Sequence, residues 1–242
     1  MNAATQQNLT SLEDLHPALW RASQLARADT RCIDTGFTGL SRQLPGGGWP
    51  TSCLVDVLTQ QAGIQEIQLL APALKRIQQR QVVLLQPPHV PQGLGFAGMG
   101  LRPDSVLWVK SKTTADSLWA AEHILRSGCV GGLLFWTTHI RSESLRRLHL
   151  AAQSSESLFF LLRPLAAAQD ASPAPLRVSL RPAPGGIDIQ FVKRKGPQRD
   201  DYLFVAIDSP QNFVRRPIPV QVPAIREDAS AQSERADYVL QQ

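Results

Sequence analysis

The stretch Asp56-Val-Leu-Thr-Gln-Gln-Ala-Gly-Ile-Gln-Glu-Ile67 runs from an apolar, strand-like segment into one of helical periodicity. A loop at such a junction can cradle phosphate. The pattern that does so is GxxxxGK[ST]: glycines let backbone N–H groups surround the phosphates, the lysine neutralises the outer ones, and the hydroxyl holds magnesium. Here the loop Thr59, Gln60, Gln61, Ala62, Gly63, Ile64, Gln65, Glu66 has about the right length, but only Gly63 remains of the glycines. Ile64 or Gln65 stands where the lysine belongs, and Glu66 where the hydroxyl belongs. A carboxylate pointing at a triphosphate repels it. Taken by itself, the stretch is a polar strand–helix turn.

Other chemistry-bearing residues are scattered. Lys193-Arg194-Lys195 with Arg199 form the clearest basic cluster. It fits contact with a phosphate backbone or an acidic partner, and equally a solvated hairpin tip. Arg146 and Arg147, with Arg141, read as the exposed polar face of a helix. Cys32, Cys53 and Cys129 make no CxxC pair, and His89, His123, His139 and His149 show no ligand spacing, so no metal site is expected. Of Trp20, Trp49, Trp108, Trp119 and Trp136, most fall in apolar runs and read as core. Trp49, in the Gly/Pro turn LPGGGWP, is the best candidate for an exposed stacking surface.

The elements that must position these residues alternate. Strand-like runs at Cys53–Leu58, Val82–Gln86, Ser105–Val109, Val130–Trp136 and Ser157–Leu162 are separated by helical patterns. The first helix carries Ile64, Ile67, Leu70, Leu74 and Ile77, with Pro72 expected to kink it. A second runs from about Thr114 to Arg126 and is closed by Gly128. Ser142 is placed to cap a third, with Leu145, Leu148 and Ala152 on one face. This rhythm predicts an α/β fold with a mostly parallel twisted sheet and helices on both faces. The Ala- and Pro-rich loop Arg163–Pro175 follows and reads as mobile. Leu176–Arg181, Ile187–Lys193 and Tyr202–Ile207 then succeed one another as strands without helices, the first two joined by a hairpin turn at APGGID.

Residues 1–30 read as an N-terminal arm with a short amphipathic helix, 31–208 as the core, and 209–242 as an extended or disordered tail. In the tail, Phe213, Arg215, Arg216, Ile218 and Val220 suit a segment that orders on a partner. The 242 residues suffice for one substantial core plus a tail. A net charge of +5 admits nucleic acid or an acidic partner. The absence of a signal-like start or a membrane-length apolar run points to the cytoplasm and away from membranes.

From Thr35 to Ile207 the order of segments resembles the core of the RecA recombinase, and more closely a RecA-derived branch, the ImuA family. That resemblance is carried in order by HPALWR (16–21), LPGGGWP (44–50), QLLAPAL (68–74), QPPHVPQ (86–92), SLWAAEHILRSG (117–128), LRRLHLAA (145–152) and VKRKG (192–196). The departures from RecA fall on chemistry. Besides the lysine, the magnesium-organising aspartate aligns with Trp136, and the glutamate that orients the attacking water aligns with Pro88. Phosphoryl transfer is almost wholly positioning and electrostatic stabilisation. The resemblance therefore implies a RecA-like fold that is a degenerate ATPase, not an enzyme, with no nucleotide cofactor. In RecA filaments the lysines matching Lys193 and Lys195 reach a neighbour's ATP, a role without purpose here. The counterpart of RecA's first DNA loop shortens to HIRSES, and that of the second, Arg163–Pro175, offers Arg163 as its one cation.

The ImuA resemblance implies an accessory role in SOS-induced translesion synthesis. Its expected partners are ImuB, an inactive Y-family polymerase homologue, and an error-prone DnaE-type polymerase, with RecA, DNA and a homo-oligomer as further possibilities. The alternative is a cell-division inhibitor resembling SulA that binds a tubulin-like GTPase. The long C-terminal strands and the tail favour the first.

Overall fold

The computed structural model describes residues 31–63, 65–196 and 201–207. In chain order the elements are β1 (Cys32–Ile33), α1 (Thr38–Gln43), β2 (Trp49–Pro50), β3 (Cys53–Thr59), α2 (Glu66–Ile77), β4 (Gln81–Leu85), α3 (Gly93–Gly98) and β5 (Val106–Val109). They continue with α4 (Thr114–Ser127), β6 (Val130–Trp136), α5 (Ser142–Gln153), β7 (Leu158–Pro164), β8 (Leu176–Ala183), β9 (Gly186–Lys193) and β10 (Leu203–Ala206). Short 3-10 turns lie at Pro45–Gly47, Pro103–Ser105 and Leu165–Gln169.

Eight strands form one sheet in the order β10-β9-β8-β3-β7-β6-β4-β5, and β1 pairs with β2 separately. From β8 to β5 every neighbouring pair is parallel, while β9 and β10 add antiparallel. The fold is therefore α/β, with a mostly parallel sheet extended by antiparallel C-terminal strands. Continuous apolar runs make its central strands because both faces are covered. Along β7, Leu158, Phe160 and Leu162 enter one core, and Phe159 and Leu161 enter the other. β3 divides Val55 and Val57 from Leu54 in the same way.

Helix α2 closes the first core with Leu69, Leu70, Ala73 and Leu74. Burying each of those leucines is worth about 1.5–3 kcal/mol. Helices α4 and α5 close the second with Ala121, Leu125, Leu145, Leu148 and Ala152. The kink expected at Pro72 does not break the element: α2 runs through it as one helix. Helix α4 has the glycine stop its sequence announces and, at its start, a threonine cap. The Thr113 side chain accepts the Asp116 N–H at 3.1 Å, and Gly128 ends the helix in the left-handed region at φ 63°. Ser142 is not a cap. Arg141 occupies that position, without a side-chain capping bond, and Ser142 is the first helical residue.

Two tryptophan expectations are reversed. Trp49 is fully buried, edge-on to Phe160 at 5.4 Å between ring centroids, because β2 folds the Gly/Pro turn back onto the first core. Trp108 lies on the edge strand β5 and is 47% exposed, and Trp119, on α4, is 62% exposed.

Candidate functional site

The loop after β3 opens at the carboxyl end of the central strand, where α/β sheets usually hold ligands. Gly63 sits there at φ +87°, and a Cβ on it would lie 2.4 Å from the His89 ring. No larger residue fits that bend. Glu66 begins α2 and is only 2% exposed. Its carboxylate turns back into the loop, accepting the Gly63 N–H, the Gln65 N–H at 3.2 Å and the indole N–H of Trp136 at 3.2 Å. Gly63 and Trp136 converge on Oε1, and Gln65 takes Oε2.

A helix N-terminus with free N–H groups attracts anions. Here the attracted anion is part of the chain. Two backbone donors of the bend, the N–H groups of Gly63 and Gln65, are engaged, and an incoming phosphate would also face the Glu66 charge. The Glu66 carboxylate thus occupies the bend from within. Trp136, at the end of β6, supplies the third donor, and Pro88 lies against the same bend, 3.3 Å from a Cβ on Gly63. Ile64 lies outside the described residues.

Beside the loop, a groove of about 420 Å³ runs past Thr59, Gln60, Gln86, Lys112, Trp136 and Arg163. Its floor is held by a buried ion network. Asp56 Oδ1 accepts from Arg163 Nε at 3.0 Å, and Oδ2 accepts from Arg163 Nη2 at 2.6 Å and Arg177 Nε at 3.0 Å. Arg177 also donates to the carbonyls of Ala167, Ala168 and Asp170 at 2.8–3.2 Å. These bonds correct the reading of Arg163–Pro175. Its first two residues end β7, Leu165–Gln169 coil as a 3-10 turn tied to Arg177, and Arg163 is a buried structural cation with no charge to offer a DNA strand. The signal the sequence carries for it is a charge inside each of three apolar runs (CLVDVLT, LFFLLR and LRVSLR), which a buried strand tolerates only when paired but which does not say with what.

The basic cluster lies at the other end of the sheet. Lys193 pairs in register with Arg177 near the start of β8, which runs parallel to β3, so the cluster sits towards the amino-terminal edge of the parallel strands. Lys193 donates to the Ser172 carbonyl at 3.2 Å, and Arg194 donates to the Gln43 carbonyl at 2.8 Å with its guanidinium 5.0 Å over the Phe191 ring. Lys195 lines a cavity of about 490 Å³ with Arg31, Pro50, Cys53, His149 and Glu156. Arg199, Phe213, Arg215 and Arg216 lie outside the described residues, as do the N-terminal arm and the tail. Among the described residues, no group of His, Cys, Asp and Glu is placed to hold a metal, and no helix is long and apolar enough to cross a membrane.

Burial, with a smaller contribution from Cys32, pushes the Cys53 thiol up to about 12, which keeps it unreactive. Burial, then the Lys193 charge, pulls His149 below its ordinary value of 6.5. His149 Nδ1 accepts the Leu54 N–H at 3.3 Å, a bond only the unprotonated nitrogen can make. The folded chain therefore binds this proton less readily than the unfolded chain. Stability is full above about 6.5 and falls as pH drops through the depressed folded value. Melting temperatures across pH 7.5 to 5 should show this fall, and His149→Gln should remove part of it. An unchanged profile in the variant would exclude His149 as its source.

No family model matches the chain, and no curated protein matches it.

Proposed function

We propose that this chain is a non-catalytic, RecA-like accessory protein of SOS-induced translesion DNA synthesis. In this reading it works with an ImuB-type polymerase homologue and an error-prone DnaE-type polymerase, with RecA and DNA as further contacts. The observation that carries the non-catalytic half is the Glu66 carboxylate seated on the loop's own N–H donors. A fold with a ligand site at the usual place, plugged by its own side chain, is suited to holding partners instead of turning over nucleotide. The partner half rests on the ordered motifs from HPALWR to VKRKG.

Two measurements test it. Calorimetric titration with ATP and magnesium is expected to give no binding in the micromolar range, and such binding would refute the plugged-loop account. Pull-down with the full chain as bait is expected to capture the ImuB-type protein. Capture of a tubulin-like division GTPase instead would replace the translesion role with division inhibition. Repeating the pull-down with the chain cut after Ile207 assigns the contact to core or tail.

A further inference from the structure

We propose that the outer face of α4 and α5 binds single-stranded DNA directly. On α4, Trp119, His123 and Arg126 stand at i, i+4 and i+7 and share one exposed stripe. The indole and imidazole rings stack at 4.0 Å between centroids, tilted by 31°, with the His123 Nδ1 held 3.0 Å from the Trp119 carbonyl. The stack fixes the exposed indole in one orientation on the surface. A ring so held accepts any nucleobase, since every base has a π-face.

Cations are fixed beside it. Glu122, one turn from Trp119 and itself buried, receives Arg126 on Oε1 at 2.9 Å and Arg147, from α5, on Oε2. The single carboxylate thus positions two guanidiniums; Asp116 and Glu143, exposed on the same two helices, balance the remaining charge of the face, so the arginines act by their position and not by a net charge. Their side chains remain 64% and 67% exposed, so most of their N–H donors face solvent. Arg146 adds a further exposed cation next to Arg147, and Leu150, one turn on, adds an exposed apolar surface. Phosphates match the arginines and bases match the stacked rings. An acidic protein segment meets the arginines as well, but it offers no regular array of flat rings to the stacked pair. The combination therefore favours a nucleic acid strand over an acidic protein.

This inference deepens the proposed role by naming DNA as a direct ligand, while capture of the ImuB-type partner is read separately and does not depend on it. The test is fluorescence anisotropy of a fluorescein-labelled oligothymidylate titrated with the full chain at several salt concentrations. Three arginine–phosphate contacts set an upper limit of about −2 on the slope of log affinity against log salt, reduced by the carboxylates beside them, and Arg146→Ala lowers its magnitude by up to about 0.7. Trp119→Ala is expected to weaken binding roughly 5- to 150-fold, the loss of one stacked base. Trp108→Ala, an exposed tryptophan on the edge strand, should leave it unchanged. Trp119 is exposed, so its replacement leaves the core intact. No binding by the full chain overturns the proposal. So does binding that Trp119→Ala leaves untouched, or that polyglutamate abolishes at matched charge, which would mark the face as a site for acidic protein.

Discussion

Replacing Asp56 with alanine is expected to lower the unfolding free energy by about 3–5 kcal/mol, because it strands two buried guanidiniums. Arg163 and Arg177 are both buried, and each spends at least one N–H on this carboxylate. Without Asp56, Arg163 keeps Asp170 at 3.3 Å, on the exposed side, and Arg177 keeps its three carbonyls. Neither compensates a full charge inside the sheet. Such a loss is a large share of the total stability of about 5–15 kcal/mol usual for a domain. Urea unfolding followed by tryptophan fluorescence measures it. Arg163→Met provides a graded comparison, since Asp56 then still has Arg177, and it should cost less than Asp56→Ala. A loss below about 1 kcal/mol for Asp56→Ala would show that water reaches the pair and that the network does not hold the 163–175 segment in place.

The strand rhythm was legible because it is local. Cys53–Thr59, Gln81–Leu85 and Val130–Trp136 are long apolar runs, and α4 carries its start and stop in Thr113 and Gly128. Helices α1 and α3, six residues each, and the two-residue strands β1 and β2 are too short for any period to show. The tryptophans were misread for a different reason. Exposure at Trp108 depends on β5 being an edge strand, which is a property of sheet order and not of the run VLWV. Trp49 is buried because its turn folds over Phe160, 111 positions away.

Partnerships across the chain were equally out of reach. Asp56 meets Arg163 and Arg177 at separations of 107 and 121 residues, and Glu66 meets Trp136 at 70. The sequence shows that the loop lacks the lysine and hydroxyl of a phosphate-binding pattern. That the Glu66 carboxylate accepts from Gly63 and Gln65, and that Trp136 joins them, is visible only when α2 and β6 are brought together.

Glu66→Ala tests that relation from the opposite direction. Removing the carboxylate leaves the N–H groups of Gly63 and Gln65 and the indole N–H of Trp136 without their acceptor, which costs about 1–3 kcal/mol. It also leaves three donors converging at the start of a helix, with the repelling charge gone, and so creates an anion site where the native chain has none. The variant is expected to melt below the native protein in chloride buffer and to recover as phosphate is added. At a phosphate concentration of ten times its dissociation constant, the recovery would be about 1.4 kcal/mol. Phosphate stabilises most proteins by exclusion from their surfaces, so the diagnostic quantity is the difference between variant and native chain. Glu66→Gln retains an acceptor oxygen in place and should respond little. Nucleotide hydrolysis is not expected in the variant, because Trp136 offers no metal ligand and Pro88 no group to orient water. An equal phosphate response in Glu66→Ala and the native chain would mean that Glu66 does not plug the loop, and the plugged-loop basis of the proposed function would fall.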